Sequence, residues 1–108
     1  MYKTNEKYVE EIVEDLDFII RHMSGITKEM LEKDEVLTDS MSFRLIQISE
    51  KSKNLTEEFK ASHEEIPWYE MTALRNRLVH DYGNVDMSIV FDTLTKDIPN
   101  LKYQLEEI

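Results

Sequence analysis

Residues that break regular structure are scarce in this sequence. Its 108 residues include two glycines and two prolines, whereas strands joined by tight turns need turn-forming residues at short intervals. Apolar side chains recur instead at steps of three and four, the spacing that places them on one face of an α-helix. The sequence therefore predicts an all-α fold, an up-and-down bundle of four to six helices.

The first half of the chain predicts three helices. A first amphipathic helix is expected to end at Gly25, and a short helix follows it. Thr38 or Asp39 can cap a long third helix, whose apolar stripe is predicted to continue to Phe59 with Ser52 filling one gap. Arg44, Gln47, Glu50, Lys51 and Asn54 are assigned to the outer face of that helix.

The last stripe of apolar residues begins after Asp86, a natural helix N-cap, and runs from Met87 to Ile108. Pro99 lies within this stripe. Proline lacks a backbone N–H and clashes with the carbonyl four residues earlier, so we predict a break or kink near Thr95 to Asp97. Because no repeat, linker or low-complexity tract interrupts the chain, we expect one domain over residues 1–108.

Charge and composition restrict the classes of function. The net charge is −10, which disfavours indiscriminate binding to nucleic acid. Residues 40–80 carry six basic and six acidic side chains, so the middle of the chain repels an anionic ligand least. Cysteine is absent, which excludes disulfides and thiolate metal sites. The sequence starts without an apolar leader and contains no stretch of membrane-spanning length, so we predict a soluble cytoplasmic protein.

One stretch, residues 73–84, concentrates the side chains suited to chemistry. A helix is predicted to begin with Pro67 in its first turn and to end at Gly83 as the C′ residue. Arg75 and Tyr82 then share one face, and Asn76 and His80 share the neighbouring one. Trp68, Met71, Leu74 and Leu78 are expected to form the buried side.

Arg75 and His80 suit the cleavage of RNA. A guanidinium can hold two phosphate oxygens and offset the charge that develops on a pentacoordinate phosphorus. An imidazole can take a proton from a ribose 2′-hydroxyl or give one to the leaving 5′-oxygen. Together they suffice for cleavage without a metal ion or cofactor, leaving a 2′,3′-cyclic phosphate. The alternative is that Arg75 pairs with a nearby carboxylate and His80 only ends a helix.

This stretch resembles the HEPN superfamily, specifically its HepT-like toxin branch. The signature of that branch begins with Arg, which is commonly followed by a polar residue. Four residues separate the Arg from a His, and one further residue separates the His from a Tyr. These positions are Arg75, Asn76, His80 and Tyr82 here. Similarity extends through residues 43–50 and 97–99. The resemblance covers most of residues 40–108, while the first 39 residues match only in helical pattern.

The resemblance implies a homodimer in which the motifs of two subunits face a shared cleft. It also implies a metal-independent endoribonuclease, the toxin of a toxin–antitoxin pair, whose partner is a minimal nucleotidyltransferase antitoxin. Arg75 would be the phosphate clamp and His80 the general acid or base, with Asn76 orienting His80. Tyr82 would be the residue to which the partner transfers AMP, and the phenol is expected to open toward Arg75.

Two other functions remain open at this stage. The chain could be a non-catalytic helical partner that docks on a nucleotidyltransferase and carries Tyr82 as the modified residue. It could also be a helical dimer that binds a nucleotide or RNA without cleaving it. The intact Arg75 and His80 favour the ribonuclease, and the acidic net charge with few lysines disfavours avid RNA binding.

Overall fold

A computed structural model of the protein describes residues 3–108. Seven α-helices contain most of these residues, with a 3₁₀ turn after α5 and a π-helical turn between α6 and α7. No strand occurs among residues 3–108, so the prediction of an all-α bundle is confirmed. The elements are α1 Asn5–Met23, α2 Lys28–Lys33, α3 Glu35–Lys53, α4 Glu57–Ala61, α5 Trp68–His80, the 3₁₀ turn Tyr82–Asn84, α6 Met87–Asp92, the π turn Thr93–Asp97 and α7 Ile98–Glu106.

The long helices pack antiparallel around one apolar core. Asn5 at the start of α1 bonds to Thr56 beyond the end of α3, and Asp15 further along α1 pairs with Arg44 near the middle of α3. α3 also packs on α5, and α1 packs on α7. Side chains from all these helices are almost fully buried together, among them Ile12, Leu16, Ile19, Met41, Ile48, Leu78, Leu94, Ile98, Leu101 and Leu105. No helix in the described part of the chain is both long and apolar enough to cross a membrane.

A charged cluster joins α1 to α3 beside this core. Asp15 is 2% exposed. Its two carboxylate oxygens accept hydrogen bonds from Arg44 Nη1 at 2.7 Å and from Lys51 Nζ at 2.6 Å. The Arg44 guanidinium lies 3.8 Å from the centre of the Phe18 ring. The expectation that Arg44 and Lys51 only cover an outer face is wrong, because both reach inward to neutralise a buried carboxylate.

The third helix differs from its predicted bounds at both ends. Asp34 is the N-cap, and its carboxylate accepts a hydrogen bond from the backbone N–H of Leu37 at 2.9 Å. The predicted caps, Thr38 and Asp39, therefore lie inside the helix. α3 ends at Lys53, since Thr56 caps the separate helix α4 and is held by Asn5. The predicted continuation to Phe59 is wrong for that reason.

The motif helix α5 also ends earlier than predicted. Its last residue is His80, and Asp81 leaves the helical conformation with φ −148°. The Asp81 side chain accepts a hydrogen bond from Asn84 Nδ2 at 2.7 Å, which closes the 3₁₀ turn that contains Gly83. Gly83 does not have positive φ and is not a C′ residue. Pro67 stands at the N-cap position, one residue before the helix rather than in its first turn.

The other predicted helix boundaries are confirmed. α1 ends at Met23, followed by Gly25 with φ +75°. The Asp86 carboxylate caps α6 by accepting a hydrogen bond from the backbone N–H of Ser88 at 2.8 Å. The break expected from Pro99 takes the form of the π turn Thr93–Asp97, which keeps the apolar stripe of both pieces on the same core.

Candidate active site

The residues of the motif lie along α5 and the turn that follows it. Arg75, Asn76 and His80 belong to α5, whereas Tyr82 begins the 3₁₀ turn. Arg75 is half-buried, and the other three are exposed. The prediction that Arg75 and Tyr82 share one face of a continuous helix is therefore wrong, since the helix has ended before Tyr82.

Arg75 is held in place by two hydrogen bonds. Its Nε donates to Glu50 Oε1 on α3 at 2.6 Å, and its Nη1 donates to Asn76 Oδ1 at 3.0 Å. A guanidinium has five N–H donors, so three remain for an anionic ligand. The pattern of apolar residues places Glu50 on an outer face of α3, and only its position in the stretch of similarity at residues 43–50 points to a role. The long-range pair fixes the direction of the guanidinium.

Asn76 contacts Arg75 rather than His80. Its side-chain oxygen accepts the bond from Arg75, and no hydrogen bond joins Asn76 to His80 in the described structure. The expectation that Asn76 orients His80 is not met by these contacts. Asn76 instead helps Glu50 to restrain the guanidinium.

His80 is the last residue of α5, and its ring is exposed. Within residues 3–108 it makes no side-chain hydrogen bond or ion pair. Its imidazole is therefore accessible to a ligand from solvent. His22, by contrast, stacks on Phe18, and the ring of His63 lies against Phe59 at an interplanar angle of 52°.

Tyr82 is anchored to the opposite end of α3. Its phenol donates a hydrogen bond to Asp39 Oδ1 at 2.5 Å, and the side chain is 45% exposed. Burial raises the pKa of the phenol above its ordinary value of 10.0, and the hydrogen bond to Asp39 raises it further. The hydroxyl is therefore protonated at neutral pH.

The contacts on α3 separate Tyr82 from Arg75. Asp39 and Glu50 are eleven residues apart in one helix, which corresponds to about 16 Å at 1.5 Å per residue. The Tyr82 oxygen lies against the first of these residues and the Arg75 guanidinium against the second. The prediction that the phenol opens toward Arg75 is therefore wrong for the two residues of the same chain.

Comparisons with known proteins identify a family. The profile of the family described as "Ribonuclease HepT-like" matches residues 9–108. A protein of Caldanaerobacter subterraneus subsp. tengcongensis named as a candidate RNase is 39% identical, over 98% of this chain and 95% of its own. A protein of Thermococcus cleftensis named as a probable ribonuclease HepT is 34% identical, over 100% of this chain and 98% of its own. No solved structure gives a significant match.

Proposed function

Because the chain belongs to the HepT-like ribonuclease family, we propose that it is the toxin of a toxin–antitoxin pair and cleaves RNA without a metal ion. The observation that carries this proposal is the arrangement of Arg75 and His80 in α5. Glu50 and Asn76 orient Arg75 and leave three of its N–H groups available to a ligand. His80 is exposed about one and a half turns further along the helix. A cation for the phosphate and an imidazole for the proton are thus available on one helix.

The reaction is an internal transfer of the phosphoryl group. The ribose 2′-oxygen attacks the adjacent phosphorus while an imidazole takes its proton. The bond from phosphorus to the 5′-oxygen breaks, and that oxygen receives a proton from an imidazolium. The Arg75 guanidinium offsets the charge on the non-bridging oxygens during the transfer. The products end in a 2′,3′-cyclic phosphate and a 5′-hydroxyl.

These products provide the direct test of the proposal. The purified chain is expected to cleave single-stranded RNA at an unchanged rate when EDTA is added, because no step uses a metal ion. End-group analysis by mass spectrometry should find a cyclic phosphate on one fragment. Loss of cleavage in EDTA with full recovery on adding Mg²⁺ would contradict the metal-independent mechanism.

Two subunits supply an acid and a base more easily than one. A single His80 cannot easily stand on both sides of the scissile phosphate, whereas the two His80 rings of a two-fold dimer can. The helices that carry the site also expose apolar side chains, including Phe43 of α3 at 56% and Val79 of α5. We therefore propose a homodimer formed by the motif helix and its neighbours.

Sedimentation velocity tests the dimer. The purified chain at micromolar concentration is expected to sediment as a dimer, and Phe43→Asp is expected to shift it toward monomer by placing a charge in the apolar contact. Lys28→Asp, a change on the exposed surface of α2, serves as a charge-altering control. A strictly monomeric wild type that still cleaves RNA would exclude a site shared between two subunits.

A non-catalytic role is the second candidate function. Arg75 already has a carboxylate partner at 2.6 Å, and this pair would also exist in a helical protein that only docks on a nucleotidyltransferase or binds RNA. The two candidates differ in the assay described above, since the second predicts no cleavage by a folded, dimeric chain.

We propose that the activity of the toxin is controlled by modification of Tyr82. In the proposed step the phenol oxygen attacks the α-phosphorus of ATP, pyrophosphate leaves, and the phenol proton passes to a base such as Asp39, which already accepts its hydrogen bond. The partner would be a minimal nucleotidyltransferase antitoxin. The adduct would add a bulky group and a negative charge two residues beyond His80, which would disfavour the binding of RNA there.

Intact-mass measurement after co-expression with such a nucleotidyltransferase tests this step. The chain is expected to gain one or more AMP units, and Tyr82→Phe is expected to gain none and to stay active against RNA. Tyr103→Phe is the matched control, since Tyr103 is exposed but lies on α7. An unmodified Tyr82 in a fully inhibited complex would mean that the partner inhibits by binding alone.

A further inference from the structure

A groove opens between α5 and α7 next to Arg75. Its volume is about 420 Å³, within the range of pockets that accept small organic groups. Buried side chains of α3, Leu45 and Ile48, contribute apolar surface to it, and Leu74 of α5 adds to the same surface. Arg75 also lines the groove. The proposed phosphate clamp and an apolar recess are therefore continuous with one another.

Two arginines lie on the α5 side of this groove, together with Glu70, and one of them, Arg75, is already paired with Glu50. Arg77 lines it together with Arg75 and is exposed. Unlike Arg75, Arg77 makes no ion pair with any residue between 3 and 108. Two guanidinium groups along one wall suit consecutive phosphates of a nucleic-acid strand, because each can donate two hydrogen bonds to one phosphate.

Hydrogen-bond acceptors lie on the opposite side, which the π turn and α7 form. Gln104 donates its Nε2 hydrogen bond to the backbone oxygen of Glu65 at 2.9 Å, so its side-chain oxygen remains an acceptor. Asp97 and Asn100 also line the groove, and neither makes a side-chain hydrogen bond in the described part of the chain. A carboxylate and two carboxamides can therefore meet a ligand in the groove.

An aromatic ring lies at the edge of the same groove. Tyr69 is 80% exposed although it is a large side chain, and it lines the groove from the first turn of α5. Exposed aromatic rings beside a cationic wall are characteristic of proteins that stack unpaired bases of RNA. The groove thus combines an apolar surface, an aromatic ring, hydrogen-bond acceptors and guanidinium groups. Together these groups match the chemistry of one nucleotide.

We propose that this groove holds one unstacked base of the substrate RNA beside the scissile phosphate, and that it favours bases with an exocyclic amine. The inference rests on the ribonuclease function proposed above. The Asp97 carboxylate accepts from the amine of cytosine, adenine or guanine. Uracil has no amine and offers only its ring N3–H, which is flanked by two carbonyl oxygens that a carboxylate repels. Arg75 and Arg77 hold the adjoining phosphates.

Cleavage of short RNA oligonucleotides that differ in one nucleotide beside the cleavage position tests the base preference. The wild type is expected to cleave the oligonucleotides with an amine-bearing base next to the cleavage position at least about fivefold faster than the oligonucleotide with uracil there. Fivefold is the lower end of the discrimination that a good base contact gives. Asp97→Asn is expected to reduce that ratio toward one, because an amide can also donate to a uracil oxygen.

Two tyrosine variants separate binding from chemistry. Tyr69→Ala is expected to raise KM for RNA by about fivefold or more while kcat stays unchanged, since stacking contributes to binding. Tyr103→Ala is the matched control, because Tyr103 is 65% exposed on α7 and does not line the groove. The control is expected to leave both constants as in the wild type.

The outcomes that overturn the inference differ from those that overturn the function. Equal cleavage at all four bases, or the same KM for the two tyrosine variants, removes the base site and leaves the ribonuclease intact. A change of sedimentation coefficient in Tyr69→Ala would identify the groove as a protein interface and likewise overturn the base site. If the wild type cleaves no RNA, the ribonuclease function fails and the base site fails with it.

Discussion

Replacing His80 by alanine is expected to lower the rate of RNA cleavage by about 10²- to 10⁴-fold, the range that general acid–base catalysis contributes. Arg75→Ala is expected to show a comparable loss, because Arg75 is the guanidinium proposed to offset the charge on the scissile phosphate, whereas Arg77 is assigned to an adjoining one. The measurement is kcat on a single-stranded RNA at saturating concentration. His80→Ala should retain the helical signal in circular dichroism, since His80 is exposed at a helix end. The same measurement on Arg75→Ala checks that the helices remain folded without the bond to Glu50.

A second histidine serves as the control for His80. His22 is also exposed and near the end of a helix, α1, but it lies outside the motif and bonds to the backbone oxygen of Phe18. His22→Ala is expected to cleave RNA at the rate of the wild type. If His80→Ala also keeps that rate, His80 is not the general acid or base, and the mechanism proposed for the motif is overturned.

Removing the buried carboxylate of Asp15 is expected to have the largest effect on stability. Asp15→Ala leaves Arg44 and Lys51 without their shared partner inside the contact between α1 and α3. Breaking a buried ion pair on one side costs about 3–5 kcal/mol. We expect a free energy of unfolding lower by about 3 kcal/mol, the bottom of that range, because both cations also reach solvent.

The neighbouring Asp17 provides a matched control on the same helix. It also forms an ion pair at 2.6 Å, with Lys102 of α7, but its side chain is well exposed. Exposed pairs contribute about 1 kcal/mol or less, so Asp17→Ala should change the unfolding free energy only slightly. Urea unfolding at one fixed protein concentration compares the two variants. Equal decreases in the free energy of unfolding would show that burial does not make the Asp15 cluster more stabilising than the exposed pair of Asp17.

The sequence predicted the fold class well because that information is local. Apolar residues spaced three and four apart identify helices regardless of what they pack against, and Pro99 identified the break before α7. The helix ends were harder to predict where two residues competed for one role. Asp34 caps α3 in place of Thr38 or Asp39, and Asp81 ends α5 before Gly83 is reached. Each choice depends on geometry that neighbouring sequence does not determine.

The same distinction between local and long-range information applies to the candidate site. Arg75, Asn76 and His80 could be found because they lie within six residues of one helix and match a known signature. Glu50 and Asp39 could not be assigned their contacts, since each meets the motif only after α3 has packed against α5. The separation of Tyr82 from Arg75 follows from those two contacts, and it cannot be predicted from the spacing of residues along α5.

The bond between Glu50 and Arg75 bears on how RNA binding responds to salt. Each protein cation that pairs with a phosphate releases counterions from the nucleic acid. The more counterions are released, the more steeply the binding constant falls with salt concentration. Arg75 enters the complex with its charge already balanced by a carboxylate, so its pairing with a phosphate releases little. Affinity for RNA should then fall with added salt less steeply than the number of arginines at the site indicates.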